Sequence, residues 1–199
     1  MIYICGDSFG VPDPEYGPCW ADLLAEQIPV TNLAEVCASN LMIAQQVDQA
    51  IAADANYIIV LFTASTRGET VYQNRVTPYS IHSLDATTPF SEFQLDILRD
   101  YTAEFFDLDL AIYRNQCIIE SVLHRLESSK IPFCFDQGGF EHPSYGGQGQ
   151  YFQCFDQHRS AVCLWDHVHT RKYRPYYHID NLDTHRDIAN YYVKTINSI

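Results

Sequence analysis

"YIIVLFT" at 57–63 carries no charge and offers no polar face. A half-exposed strand alternates apolar and polar residues; a run that is apolar on both sides belongs at the centre of a parallel sheet with helices over each face. Outward from it, strand and helix alternate. On the N-terminal side lies "LMIAQQVDQAIAADA" (41–55), apolar at Leu41, Ile43, Ala44, Val47 and Ile51 with helical spacing, and Ser39 or Asn40 stands ready to cap it. Before it come a short strand, "VTNLA" (30–34), a helix, "CWADLLAEQI" (19–28), and a first strand, "IYIC" (2–5). On the C-terminal side, helical periodicity runs from near Ser91 to Lys130 with a break at 107–109, its clearest stripe being Ile112, Ile119, Val122 and Leu126. "IPFCF" (131–135) is the next strand, "SAVCLW" (160–165) a fifth, and "NLDTHRDIANYYVKTINSI" (181–199) the closing helix, with Asp180 as its predicted N-cap. The pattern predicts one α/β domain over 1–199, three layers α/β/α around a parallel sheet of about five strands. Two stretches lose all periodicity, 64–93 and 136–158, and are read as irregular insertions.

Composition narrows the function. A chain of 199 residues with 47% hydrophobic content can bury one sizeable core. Its formal net charge of −13 argues against nucleic acid or an anionic membrane as partner, since both need basic surface. The local exception is 157–178, where Arg159, Arg171, Lys172 and Arg174 face one acid, Asp166. No run approaches the roughly 18 to 20 apolar residues of a membrane span. The first residues enter strand-like sequence without a basic and then apolar leader, so a cytoplasmic protein is expected. Seven cysteines, an odd number without a CxxC pair, fit a reducing compartment.

The chemistry is concentrated at "GDSFG" (6–10). Glycine, aspartate and serine make any strand-to-helix turn, yet this turn also displays Ser8 at the carboxyl end of the first strand, where doubly wound sheets bind ligands. A serine hydroxyl needs a base to become a nucleophile. Of the eight histidines, His178 stands on the loop that feeds the last helix, and His185 lies about one turn inside that helix. The loop residue is the better base, with His185 as the alternative. "DHVHT" (166–170) could offer Asp166, His167 and His169 to a metal, but no further ligand follows at useful spacing, so neither metal nor cofactor is expected.

These stretches together resemble the SGNH/GDSL hydrolase family. "ICGDSFG" is similar to its first block, "NLAEVCASNLMIAQQV" to its second, "YIIVLFTASTRGE" stands where the third belongs, and "HIDNLDTHRDIA" is similar to the last. The resemblance implies a flavodoxin-like sheet and a serine esterase in which Ser8, Asp7 and His178 form the catalytic group. It places the backbone donor of an oxyanion hole on Cys37, where the family has glycine. The family's third-block Gly-x-Asn-Asp is absent, so Thr63 or Ser65 would replace the asparagine donor, with Arg67 beside them in a version of this turn found in divergent, often phage-encoded members. The aspartate three residues before the histidine is replaced by Pro175, which leaves Asp166, Asp180 or Asp183 to orient the imidazole. The implied substrate is a small-molecule or glycan ester, such as an acetylated sugar. The second expectation, motivated by the two missing residues, is a protein of this fold that works by binding or as a structural component, for example of a phage particle.

Overall fold

The central strand is β3 (Tyr57–Leu61), all five residues of which are buried. In the computed structural model, which describes residues 1–13, 17–80, 84, 90–136, 154–162, 164, 179 and 181–199, β3 lies between β1 (Ile2–Cys5) and β6 (Phe133–Asp136), and β2 (Val30–Asn32) flanks β1. The order is β2-β1-β3-β6, with all three pairings parallel.

Successive strand residues point to opposite faces, and this divides the core. Ile58 and Val60 pack with Ile43 and Val47 of α2 (Asn40–Ala52) and with Ile119 and Leu126 of α4 (Leu108–Ser129). Tyr57, Ile59 and Leu61 pack with Trp20 and Leu24 of α1 (Trp20–Ala25) and with Ile188 and Tyr192 of α5 (Leu182–Asn197). Trp20 and Tyr192 are fully buried, with ring centroids 4.9 Å apart. Each such side chain contributes about 1.5–3 kcal/mol of burial, so an apolar layer secures each face of the sheet. The three-layer expectation describes this architecture.

Helix limits follow local chemistry. α2 starts where the Ser39 side chain accepts from Met42 N, and α4 where Asp107 accepts from Leu110 N. α4 ends at Lys130, whose φ of 61° is left-handed. α3 (Glu92–Phe105) precedes it, and the predicted break falls at 106–107. α5 is capped by Asn181, whose side chain accepts from Asp183 N at 2.9 Å. The predicted cap, Asp180, lies outside the described residues.

Two expectations are corrected. Within the first irregular stretch, 67–80 form a β-hairpin, β4 (Arg67–Tyr72) paired antiparallel with β5 (Arg75–Ser80). Its turn, Gln73–Asn74, has φ of 48° and 62°, the two left-handed residues that a two-residue hairpin loop requires. The usual glycine is absent, so the turn left no strong mark in the sequence. Of "SAVCLW", expected as a fifth strand, the described residues 160–162 and 164 are not in a strand. The chain meets the sheet through one bridge, Arg159 to Phe135, with Ser160 N donating to Phe135 O at 2.8 Å. Val162 N then turns to the Ser160 hydroxyl at 3.2 Å, a local bond that competes with a ladder. Among the described residues the parallel sheet therefore has four strands. No described helix is long and apolar enough to cross a membrane, and the six described cysteines are free.

Candidate active site

Between β1 and β3 the order of the strands reverses, which opens a crevice at their carboxyl ends. The residues leaving β1 are Gly6, Asp7 and Ser8; those leaving β3 are Phe62, Thr63, Ala64 and Ser65.

The first turn passes its neighbours at distances that exclude a side chain. A Cβ on Gly6 would sit 2.8 Å from Leu61 Cβ, and one on Gly10 2.7 Å from Ala34 Cβ. Gly6→Ala is therefore expected to cost about 1–3 kcal/mol through overpacking against β3, read as a lowered thermal midpoint. An unchanged midpoint would mean that β1 and β3 can separate freely. Hydrogen bonds secure the same turn. Gly6 N donates to Gln46 Oε1 at 2.7 Å, Glu35 N to Gly6 O at 3.1 Å, Trp20 Nε1 to Phe9 O at 2.8 Å and Asn32 Nδ2 to Gly10 O at 2.7 Å.

Asp7 joins the two turns. Its Oδ1 accepts from Phe9 N at 3.1 Å and caps the 3-10 turn Ser8–Gly10; its Oδ2 accepts from the Thr63 hydroxyl at 2.7 Å. The carboxyl is fully buried, and burial raises its pKa from 3.8 to about 6 against the opposing pull of Arg67 and the bonds from Thr63 and Phe9. A carboxyl that binds its proton more tightly folded than unfolded favours the fold at low pH. That contribution is full below 3.8 and is lost as pH rises through about 6. Asp7→Asn keeps an acceptor for Phe9 N and removes the titration, so the variant is expected to flatten the pH dependence of stability between about 4 and 6. Denaturation midpoints across that range test it, and parallel curves for the two proteins would contradict it.

Thr63 is held by Asn40, the first residue of α2. Thr63 N donates to Asn40 Oδ1 at 2.9 Å, and Asn40 Nδ2 donates to Thr63 O at 2.8 Å and to Asn115 Oδ1 at 2.7 Å. Asn115 Nδ2 in turn reaches Ala111 O at 2.8 Å and Ser65 O at 3.5 Å. This buried amide pair fixes the turn after β3. Neither asparagine was among the candidate site residues. Asn115 had a readable signal, because it is the polar member of the buried α4 stripe Ala111, Asn115, Ile119, Val122 and Leu126.

Ser8 is buried and borders a water-sized cavity of about 10 Å³ whose walls include Cys19, Ile179 and His185. His185 Nδ1 accepts from Trp20 N at 3.1 Å, which leaves Nε2 as the donor to Ile179 O, also at 3.1 Å. Burial lowers its pKa below 6.5, in keeping with a neutral ring. Both nitrogens are thus engaged away from Ser8, and the alternative base has none to offer. Asp183 is exposed and pairs with Arg186 at 2.8 Å, so the structure does not bring it to Ser8. His178, Asp180 and Asp166, and the metal candidates His167 and His169, lie outside the described residues.

The remaining candidates divide by role. Thr63 has one hydroxyl proton and gives it to Asp7 in this structure. Ser65 is buried, and its carbonyl faces Asn115. Arg67, half-buried at the start of β4, acts on Asp7 through its charge. Cys37 has a φ of 64°, in the region glycine enters without cost, and its loop is tied to the serine turn two residues earlier by Glu35 N. Cys37 thus holds a glycine-type backbone conformation.

Compared by sequence, the chain matches no protein-family model and no curated protein. Compared by structure, it is similar over 100% of its length to the psychrotrophic esterase EstA of Pseudoalteromonas, solved with monoethylphosphonate as inhibitor, at 13% identity, 98% coverage of that chain and a TM-score of 0.53. The chain has the SGNH/GDSL hydrolase fold. A lipolytic protein of the G-D-S-L family from Desulfitobacterium hafniense shares that fold at 14% identity, 97% coverage of each chain and a TM-score of 0.50. So does the acetyl xylan esterase AlAXEase, at 10% identity, 98% coverage of each chain and a TM-score of 0.50. In this fold the turn after β1 carries Gly6, Asp7 and Ser8, and the Asn40–Asn115 pair braces the turn after β3.

Proposed function

We propose that the chain is a serine-dependent ester hydrolase with Ser8 as nucleophile and His178 as general base. One observation carries the reading. Ile179 borders the same cavity as Ser8, and His178 directly precedes Ile179 in the sequence. The His185–Ile179 hydrogen bond, with the bond from Trp20 N to His185, ties Ile179 to α1.

Ser8 Oγ attacks the ester carbonyl carbon while His178 takes its proton. The oxyanion that forms lies against the backbone N–H groups of Ser8 and Cys37. Collapse of the tetrahedral intermediate breaks the bond to the alcohol oxygen, which leaves with the proton from His178. Water, deprotonated by the same imidazole, then releases the acid and restores Ser8. Asp7 and Thr63 hold the serine turn and stay outside the proton path. An O-acetylated sugar is the proposed substrate, in line with the acetyl xylan esterase of the same fold.

A fluorophosphonate tests this directly. The expected product is a single adduct on the peptide that contains Ser8, together with hydrolysis of an aryl acetate. Absence of both would overturn the hydrolase and leave a binding protein.

A further inference from the structure

The hairpin and the α3–α4 corner enclose a second, larger hollow that the reaction above does not use. Its volume is about 270 Å³, close to the lower end of ligand-binding cavities. It begins at Thr66 and Arg67, directly after the turn that carries Thr63 and Ser65, and the charge of Arg67 acts on Asp7, the neighbour of Ser8. Its walls are rings: Tyr79 from β5, Tyr101 and Phe105 from α3, and Phe106 from the corner. Tyr101 and Phe105 are 55% and 71% exposed, a large apolar area left open to water at the rim.

The charges lining the hollow run against the rest of the molecule. The chain has 12 cations to 25 acids; among the described residues that line the hollow there are two cations, Arg67 and Arg114, to one acid, Asp107. Asp107 already accepts from Leu110 N as the α4 cap. Arg114 is steadied from outside the lining by Glu69, 3.9 Å from its Nη1, a contact too long to use up its five donors. Tyr79 lies over the β4 backbone, where only Gly68 leaves room for it: a Cβ there would be 2.6 Å from the ring. Burial and the nearby Tyr101 and Glu69 raise the Tyr79 pKa, so the phenol keeps its proton as a further donor.

We infer that this hollow binds the non-scissile part of the substrate, and that this part is a six-membered ring bearing a carboxylate. Ring faces stack on the aromatic walls, and the planar guanidinium groups match a carboxylate in a way a neutral ring cannot exploit. Such a ring occurs as an aromatic acid or as a sugar acid. What the hollow is for rests on the hydrolase reading; what it binds does not.

Equilibrium titration of the Ser8→Ala protein, observed by ligand NMR, separates the two. Benzoate is compared with benzamide, and glucuronate with glucose. At least one acid is expected to bind about tenfold more tightly than its neutral partner, and the member of the pair that does so identifies the source. Arg114→Gln is expected to erase that preference while the fold is retained by circular dichroism. Equal binding of acid and neutral ring, binding of neither, or a preference that survives Arg114→Gln overturns the inference. Because no turnover is involved, these outcomes are independent of whether Ser8 is a nucleophile. For the active protein, 4-acetoxybenzoate is then expected to be hydrolysed with a higher kcat/KM than its methyl ester.

Discussion

Ser8→Ala is expected to lower kcat/KM for an aryl acetate by on the order of 10⁴-fold or more, and to abolish fluorophosphonate labelling. The size of the effect follows from what the substitution removes. Without Oγ there is no acyl-enzyme, and the remaining backbone donors can do no more than help water attack a bound ester. The fold should be nearly indifferent. The turn is held by Gly6, Asp7, Phe9 and Gly10, through bonds that do not involve the Ser8 side chain. A stability change within about 0.5 kcal/mol is therefore expected from chemical denaturation. Retained hydrolysis in a folded Ser8→Ala protein would remove the serine from the mechanism, whatever its surroundings.

That surrounding structure was legible in the sequence to different depths. β3 could be read because seven uncharged residues in a row have few other places to go, and the serine turn because Gly-Asp-Ser-Phe-Gly must leave a strand sharply. The long C-terminal helices showed their apolar stripes. What escaped was held by contacts across long distances in the chain. The Asn40–Thr63 clasp spans 23 residues and the Asn40–Asn115 bond 75, and an amide that completes a buried network looks in sequence like any other cap or helix-face residue. The hairpin escaped because its loop is Gln73–Asn74, which reaches the left-handed region without glycine. The Thr63 hydroxyl shows a related limit: it has a single proton, and only the fold reveals that Asp7 receives it in this structure. Cys37 is the converse case: its backbone takes the left-handed conformation that glycine enters most easily, and a cysteine in the sequence does not announce it.

The two histidines are expected to separate cleanly on replacement. His178→Ala should lower kcat/KM by about 10² to 10⁴, the usual worth of a general base, with little change in stability, and added imidazole should restore part of the rate. His185→Ala should act first on the fold. It leaves Trp20 N and Ile179 O without partners in a buried place, a cost of about 1–3 kcal/mol for each unsatisfied group. Its effect on rate comes through the position of Ile179, so imidazole in solution should not rescue it, whereas His185→Gln, with one amide acceptor and one donor, should recover much of it. The pH dependence has a definite sign. The folded-state pKa of His185 lies below 6.5, so its contribution to stability is complete above 6.5 and declines as the pH falls and the unfolded chain takes up the proton more readily. His185→Gln should lack that acid-side decline. Should His185→Ala instead lose rate as deeply as His178→Ala at unchanged stability, with rescue by imidazole, the base would be His185, and its bonds to Trp20 and Ile179 would have to open during turnover.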